Sequence, residues 1–488
     1  MHYDYIIIGS GAGGAAAAWR LASAGSQVLL LEKGDALPRD GSTLDVEQVI
    51  RAGRFKSHEP WLDKDGRRFA PEEYFNLGGK TKWYGAALLR YSPREFEPDA
   101  GHQCLGWPIG YADLDPYYAE AEQRLGVRVF APEPGLAAIV RRLTGNTGGW
   151  RAEPLPLALD ARITEHPEEA AHFDAFASVK GLKGDAESAF LVAARERPNL
   201  RVQSGQAVVE LLGDSYHTTR LRGVMTEDGQ IHEGRTVLLA AGALHSPRLL
   251  QQYFRRTGLE SRLPCAPQVG RYYKQHLLTA LVAFTPRRQT DLLRKTLVLL
   301  NERVPHSSVQ PLGFDGDLIG ALMPGLVPRR LATALGQYAY GFFLQTEDGS
   351  AAANGINTEY GSGLPRMDYD PRRLAPAHAE HRRLVRGFRN ALLRAGCLGF
   401  SKAIPLGGTA HACGSLVAGH DPASSVVDAS GKVHGMDNLY VVDGSVLPRS
   451  SRVNPSLTIF AWSLRVSDLL GQHHRETRDA ADREHALA

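Results

Sequence analysis

The chain has 488 residues, of which 43% are hydrophobic and 22% charged, proportions typical of a globular protein rather than a disordered or fibrous one. This length exceeds what a single hydrophobic core accommodates, so we expect at least two domains. A net charge of +3 is too small for such a chain to indicate a nucleic-acid partner or an anionic membrane surface.

Cysteine usage and apolar segments narrow the class further. The four cysteines lie far apart and form no C-x-x-C pair, so neither a metal site nor a disulfide framework is expected. No uncharged stretch of about 18 residues occurs, so no membrane span is expected. The chain also starts without a basic leader, which argues against a signal peptide. We therefore expect a cytoplasmic protein.

Residues 4–34 carry the strongest motif of the chain. An apolar, strand-like run leads into the G-x-G-x-x-G pattern of Gly9, Gly11 and Gly14. An alanine-rich helix follows, and a second apolar run ends at Glu32. The glycines permit a tight turn, close approach to a pyrophosphate and close helix–strand packing, while the acid accepts hydrogen bonds from a ribose. A glycine-rich turn alone would be weak evidence, but the order of strand, glycines, helix, second strand and acid predicts a dinucleotide-binding unit.

Further along the chain, hydrophobic periodicity predicts alternating strands and helices. Residues 35–75 are polar and show no sustained period. The predicted elements are a helix over residues 111–125, strands over 199–202, 207–212 and 236–243, strands over 278–284 and 338–346, a helix over 377–395 and a last strand over 438–444.

The strands of nucleotide-binding type come from three separate parts of the chain, an arrangement that is typical of a flavoprotein. We therefore predict an α/β fold: a Rossmann-type FAD-binding domain assembled from discontinuous segments, with an inserted α+β substrate domain built on an antiparallel sheet. The expected boundaries are residues 1–275 for the FAD-binding domain, with a mixed excursion at about 35–180, residues 276–400 for the substrate domain, residues 401–470 for the return, and 471–488 for a polar tail that frays.

Two short segments near the C-terminus carry chemistry. Residues 408–415 hold His411 two positions before Cys413, and residues 453–459 hold Asn454 before a proline. A histidine can accept the proton of an alcohol, and an asparagine beside it can hold the same oxygen. Cys413 has no basic neighbour in sequence and is assigned to packing.

With these segments the chain resembles the glucose–methanol–choline (GMC) family of FAD-dependent oxidoreductases. The resemblance extends over nearly the whole chain, through residues 76–85, 242–250, 269–276, 363–369 and 442–445. It implies that His411 is the active-site base and Asn454 its partner, both facing the flavin. It implies hydride transfer from a sugar or other small alcohol to flavin N5. The implied cofactor-binding residues are Gly9, Ser10, Gly11, Ala12, Gly14, Glu32, Lys33, Gly78, Gly79, Lys80, Val208, Ala241, Gly242, Asp443, Gly444, Asn454 and Pro455.

Departures from the family pattern carry information as well. Trp83 occupies the position at which some relatives attach FAD covalently through a histidine, so we expect non-covalent FAD. Gln275 replaces an acid of the family element that ends at His276, and His276 is assigned a packing role at a domain junction.

Other properties stay open at this level. The electron acceptor is dioxygen, a quinone or an electron-transfer protein, and a small partner subunit or a homo-oligomer is compatible with the sequence. One alternative function is a lyase of the same fold that holds FAD without redox chemistry. Another is an NAD-dependent or purely nucleotide-binding protein that uses the N-terminal motif alone.

Overall fold

The computed structural model describes residues 2–145, 148–323, 327–358, 363–408 and 411–487, and beyond residue 472 the backbone alone. The described strands are β1 His2–Ile8, β2 Val28–Leu31, β3 Trp61–Leu62, β4 Arg68–Phe69, β5 Trp150–Pro154, β6 Leu200–Gln203, β7 Val208–Gly213, β8 Leu221–Thr226, β9 Ile231–Leu239, β10 Leu277–Phe284, β11 Leu297–Asn301, β12 Ser307–Pro311, β13 Ala339–Thr346, β14 Gly355–Asn357, β15 Arg366–Asp368, β16 Leu398–Ala403 and β17 Leu439–Val441.

The helices share the α-helical hydrogen-bond pattern and range from one turn to many. They are α1 Ala12–Ser23, α2 Tyr111–Arg124, α3 Pro134–Thr144, α4 Pro167–Ala170, α5 Val192–Ala194, α6 Gly242–Thr257, α7 Gly316–Ala321, α8 Arg329–Gly336, α9 Ala375–Arg394 and α10 Ser456–Leu487. None of the helices in the described part of the chain is long and apolar enough to cross a membrane.

The nucleotide-binding sheet combines seven of the described strands, in the order β6-β2-β1-β9-β8-β7, with β17 paired to β9. Strands β6, β2, β1, β9 and β17 are parallel, and β7 and β8 join as an antiparallel extension. Consecutive Ile6 and Ile7 are both fully buried, as expected for a parallel strand that is covered on both faces. Helix α1, whose Ala15–Ala18 run is fully buried, packs between this sheet and α10.

A second, antiparallel sheet has the strand order β16-β10-β13-β12-β11-β5. Side chains alternate along β13: Phe342 and Leu344 pack against α3 and α9, while Phe343 and Gln345 face a large cavity. This sheet therefore forms a wall between a helix-covered core and the cavity. A small third sheet has the strand order β14-β15-β3-β4.

Two expectations need correction. The antiparallel sheet draws β5 from the predicted excursion, where it pairs with β11, and β16 from the chain around the predicted boundary at residue 400, where it pairs with β10. The residues after 470 continue helix α10 instead of fraying, since that stretch is rich in alanine, glutamate and arginine, which favour helix. The division of the chain into domains stays a prediction.

Candidate active site

The first glycine turn lies where β1, α1, β9 and β17 meet. Gly9 has a φ of +102°, a left-handed conformation that favours glycine. A Cβ on Gly14 would overlap the carbonyl oxygen of Gly9, and a Cβ on Gly13 would overlap that of Val442. A Cβ on Gly11 would meet nothing within 4 Å. Gly13 and Gly14 therefore let α1 pack against the sheet, whereas Gly11 leaves open space in front of the helix N-terminus.

Glu32 follows β2 and is 6% exposed. Its Oε2 accepts hydrogen bonds from the backbone N–H (2.9 Å) and the hydroxyl (2.6 Å) of Ser10, and its Oε1 accepts one from the N–H of Gly34 (2.9 Å). Burial raises the pKa of Glu32, while these hydrogen bonds oppose that shift. The backbone N–H of Lys33 adds a further hydrogen bond to this carboxylate, which lines the cavity described below.

The loop at residues 76–85 approaches the same turn. Gly78 donates its N–H to the hydroxyl of Ser10 at 3.0 Å, and a Cβ on Gly79 would lie 3.1 Å from the Cα of Gly11. Gly78 and Gly14 thus shape the turn without lining the cavity, which corrects their predicted role as direct contacts.

Asp443 follows β17, and both of its carboxylate oxygens accept hydrogen bonds from the protein. Its Oδ2 accepts from the N–H of Gly242 (2.8 Å) and the hydroxyl of Ser246 (2.5 Å), and its Oδ1 accepts from the N–H (2.9 Å) and hydroxyl (2.5 Å) of Ser445. The carboxylate therefore fixes the start of α6, and since Asp443 also lines the cavity described below, its part in cofactor binding stays a prediction.

A cavity of about 860 Å³ connects the glycine turn with the C-terminal motif residues. It is lined by all the predicted cofactor residues except Gly14 and Gly78, namely Gly9, Ser10, Gly11, Ala12, Glu32, Lys33, Gly79, Lys80, Val208, Ala241, Gly242, Asp443, Gly444, Asn454 and Pro455, and also by His411. The structure thus brings together residues that are hundreds of positions apart.

His411 and His276 are brought together by an antiparallel bridge. Lys274 and Cys413 pair through two backbone hydrogen bonds of 3.0 and 2.9 Å, so the residues two positions away on each segment face each other. The Nδ1 atoms of His276 and His411 lie 2.8 Å apart. The packing role expected for His276 is therefore incomplete, because its ring contacts the predicted base.

The hydrogen bonds fix the proton positions on both rings. Nε2 of His276 lies 2.7 Å from the carbonyl oxygen of Ser451, which only accepts, so that nitrogen carries the proton. Nδ1 of a neutral His276 is then an acceptor, and Nδ1 of His411 must donate to it. Nε2 of a neutral His411 is left with a lone pair, the state that a general base requires.

Both histidines are held neutral. Burial is the main cause that lowers the pKa of His276 to about 4. Burial, followed by the adjacent His276 and by Lys295 and Lys80, lowers the pKa of His411 well below its usual value.

Asn454 donates a hydrogen bond to the unprotonated nitrogen of His411. Its Nδ2 is 3.3 Å from Nε2 of His411, and its Oδ1 accepts a 2.6 Å hydrogen bond from Nε2 of Gln310 on β12. Gln310 thereby sets the amide orientation, so the Asn454 NH₂ points toward the histidine. Thr409 and Ala410, which precede His411 in the predicted motif, lie outside the described residues.

A dinucleotide cradle joined by one cavity to a neutral histidine and an oriented amide defines a nucleotide-dependent oxidoreductase. Two family models described as GMC oxidoreductase match residues 3–278 and 397–463. The chain belongs to the GMC oxidoreductases.

Individual relatives cover nearly the entire chain. A protein of Streptomyces lividus named 6'''-hydroxyparomomycin C oxidase is 32% identical, over 98% of this chain and 93% of its own length. The paromamine 6'-oxidase of Streptomyces fradiae is 29% identical, over 96% of this chain and 92% of its own length. The structure of pyridoxine 4-oxidase from Mesorbium loti matches with a TM-score of 0.67 at 18% identity, covering 97% of this chain and 99% of that chain.

These findings confirm the family, the FAD cofactor and the enzyme class, an oxidoreductase acting on CH–OH donors. They leave no support for an NAD-dependent or purely nucleotide-binding protein, because the match includes the C-terminal segment as well as the N-terminal motif. The inserted substrate domain, a partner subunit or homo-oligomer, and the cytoplasmic location stay predictions.

The residues present fit FAD. Gly11 leaves space for a pyrophosphate at the N-terminus of α1, and the Glu32 carboxylate lines the same cavity. The cavity then continues to His411 and Asn454, where a flavin ring would lie.

Sequence reasoning missed several residues of the site. Gly13 stands inside the glycine motif but at a variable position of the pattern, so packing against β17 was not foreseen. Gln310, Asp174 and Lys295 lie on strands and loops without any motif. These three residues reach the cavity only because the antiparallel sheet and the loops beside it pack together in the folded chain.

Proposed function

We propose that this protein oxidises a hydroxyl group of a sugar or similar small alcohol to a carbonyl, with His411 as the base and Asn454 as the orienting hydrogen-bond donor. When bound, FAD supplies the hydride acceptor, N5 of its ring. The observation that carries the proposal is the position of His411 in the cavity wall, with Nδ1 2.8 Å from Nδ1 of His276 and Nε2 3.3 Å from Nδ2 of Asn454.

Each residue has a definite task in this mechanism. On binding, the substrate hydroxyl replaces the Asn454 N–H as the donor to Nε2 of His411 and accepts from Nδ2 of Asn454, which fixes the oxygen and aims the adjacent C–H. Nε2 takes the hydroxyl proton as the carbonyl forms. The resulting positive charge is shared through the Nδ1 hydrogen bond with His276, whose Nε2–H is anchored on Ser451. His276 acts as a positioning residue.

The substrate class is supported by the names of the two relatives, which are oxidases of 6'''-hydroxyparomomycin C and of paromamine at its 6' position. Their naming as oxidases favours dioxygen over a quinone or an electron-transfer protein as acceptor. Non-covalent FAD is supported by Trp83, whose indole N–H donates to Oδ1 of Asn76 at 2.9 Å and whose ring stacks on Tyr74. An indole offers no nucleophilic nitrogen for a flavin bond.

Anaerobic mixing of the purified holoenzyme with paromamine and a panel of sugars and small alcohols tests the proposal. Bleaching of the oxidised flavin absorbance by at least one alcohol is expected, followed by recovery on admission of air. The lyase alternative predicts an unchanged flavin spectrum with every alcohol, and that result would contradict the proposed oxidation.

A further inference from the structure

Asp174 and Lys295 form a buried ion pair in the cavity wall, on segments that carry no motif. The ammonium of Lys295 lies 2.9 Å from Oδ2 of Asp174, and the side chains are 4% and 7% exposed, respectively. Both residues line the cavity that contains His411 and Asn454. The charge of Lys295 also contributes, after burial and His276, to lowering the pKa of His411, so the pair lies near the base.

The loop that carries Asp174 is held in place by the side chain of Lys183. The ammonium of fully buried Lys183 donates to the carbonyl oxygens of Phe173 (2.8 Å) and Tyr84 (2.9 Å), and also to that of Phe176. Desolvation lowers the pKa of Lys183 to about 7. Three carbonyl acceptors around one ammonium fix the backbone on both sides of Asp174, so its carboxylate has a defined position.

The pair has unused hydrogen-bonding capacity that faces the cavity. Oδ2 of Asp174 accepts from Lys295 and from the N–H of Gly313 (3.2 Å), whereas Oδ1 accepts no hydrogen bond from any described residue. Lys295 has three N–H donors and uses one of them on Asp174. Gly85 keeps this side open, since a Cβ there would overlap both Lys295 Nζ and Asp174 Oδ1.

Energetics argue against a purely structural role for the pair. Two charges removed from water lose more solvation than their attraction returns unless further hydrogen bonds complete their shells, and an apolar pair of similar size is often equally stable. Here one carboxylate oxygen and two N–H donors have no hydrogen-bond partner among the residues that the structure describes. A ligand group that completes both shells would make the arrangement favourable.

The chemistry of the pair selects the group. An ammonium group of a ligand would donate to Asp174 but be repelled by Lys295. A carboxylate group of a ligand would accept from Lys295 but be repelled by Asp174. A hydroxyl group donates to the carboxylate and accepts from the ammonium at the same time. We propose that Asp174 and Lys295 form a subsite for a second, unreacting hydroxyl group of the substrate, so that the enzyme selects polyols over simple alcohols. This inference rests on the proposed function for the position of the reacting hydroxyl.

Methyl α-D-glucopyranoside and its monodeoxy analogues provide the test, because each analogue lacks one hydroxyl group. Dissociation constants are measured with the holoenzyme from the perturbation of flavin absorbance, and rates of anaerobic flavin reduction are recorded in parallel. In the wild type, removal of one particular hydroxyl is expected to weaken binding at least about tenfold, the effect of a hydrogen bond to a charged partner.

In the neutral double variant D174N/K295M that penalty is expected to fall below about twofold, while the penalties at other positions persist. D160N changes a carboxylate of an exposed ion pair with Arg162 and serves as the matched control that keeps the wild-type pattern. If the double variant does not retain FAD, G85A replaces it, because the added methyl group overlaps Lys295 Nζ and Asp174 Oδ1, forces them to shift and should abolish the same penalty.

An unchanged penalty in the variants, or a wild type that binds no glucoside or binds all analogues equally, would overturn the subsite. A wild type that shows the position-specific binding penalty but no flavin reduction by any alcohol would instead defeat the proposed function and leave the subsite standing.

Discussion

His276 and His411 face each other through their Nδ1 atoms at 2.8 Å, and the proton position on His276 determines that on His411. The chain of contacts begins at the carbonyl oxygen of Ser451, a residue with a φ of +66°, and ends at the amide of Asn454. The carbonyl oxygen of Ser451 thus sets the tautomer of His276 and, through it, that of His411, the proposed base. The arrangement leads to tests of the base, of its partner and of the cofactor cradle.

Replacement of the base tests its role directly. H411A is expected to lower the rate of anaerobic flavin reduction by about 10²- to 10⁴-fold, the usual contribution of a general base, with FAD content unchanged. Stopped-flow absorbance measures the rate. H420N, at an exposed histidine, is the control and should reduce flavin like the wild type. A fall of less than about threefold in H411A would contradict the assignment.

The positioning role of His276 predicts a changed pH profile as well as a slower reaction. H276F removes the acceptor of the His411 Nδ1 proton, so the tautomer with a proton on Nε2 becomes accessible and kcat should fall more than KM rises. H276N retains polar capacity and should recover part of the rate. Equal pH profiles for the wild type and H276F would show that the ring serves packing alone.

The lowered pKa of His411 predicts how kcat/KM varies with pH. A base is active when unprotonated, and its proton binds only below its pKa, so a pKa well below 6.5 leaves kcat/KM constant from pH 6.5 upward. The acid limb should lie below pH 6.5. Initial rates with a substrate from the panel measure the profile, and a limb centred above pH 6.5 would disagree with the buried, neutral ring.

The buried neutral state of His276 also affects stability. Its pKa falls from 6.5 to about 4 on folding, so the unfolded chain binds more protons between these values. This contribution to the free energy of unfolding is complete above pH 6.5 and is lost as the pH falls toward 4. Urea unfolding of H276F at pH 7 and pH 5 should show a smaller acid-induced loss than the wild type shows. An equal loss would contradict the prediction.

Two glycines of the first turn should respond differently to alanine. G14A places a methyl group on the carbonyl oxygen of Gly9, so the protein should not fold to a stable state. G11A meets no protein atom within 4 Å and should fold, but the methyl group occupies the space for the pyrophosphate, so FAD content should drop. Circular dichroism and the flavin-to-protein absorbance ratio distinguish the two. Full FAD content in G11A would rule out this pyrophosphate position.

The mode of FAD attachment has a simple test. Acid precipitation of the holoenzyme should release all flavin into the supernatant, because Trp83 occupies the position of the linking histidine. A pellet that stays yellow after washing would show a covalent bond elsewhere in the protein.

Local patterns in the sequence were sufficient for the N-terminal unit, for the approximate position of most strands and helices, and for the family. The turn at Gly9 and the acid at Glu32 depend on neighbours in sequence and on backbone conformation, both of which a motif records. His411 and Asn454 were identified for the same reason, since each lies in a short segment of recognisable composition.

Other parts of the site were decided by tertiary structure alone. The Nδ1 contact of His276, the saturation of Asp443 and the Asp174–Lys295 pair all depend on which distant segments lie side by side. Whether a carboxylate is free or engaged is settled by partners from elsewhere in the chain, and burial sets the pKa of a ring only once the chain has closed around it. Such properties belong to the packed molecule, because hydrogen bonds and desolvation act through space and not along the chain.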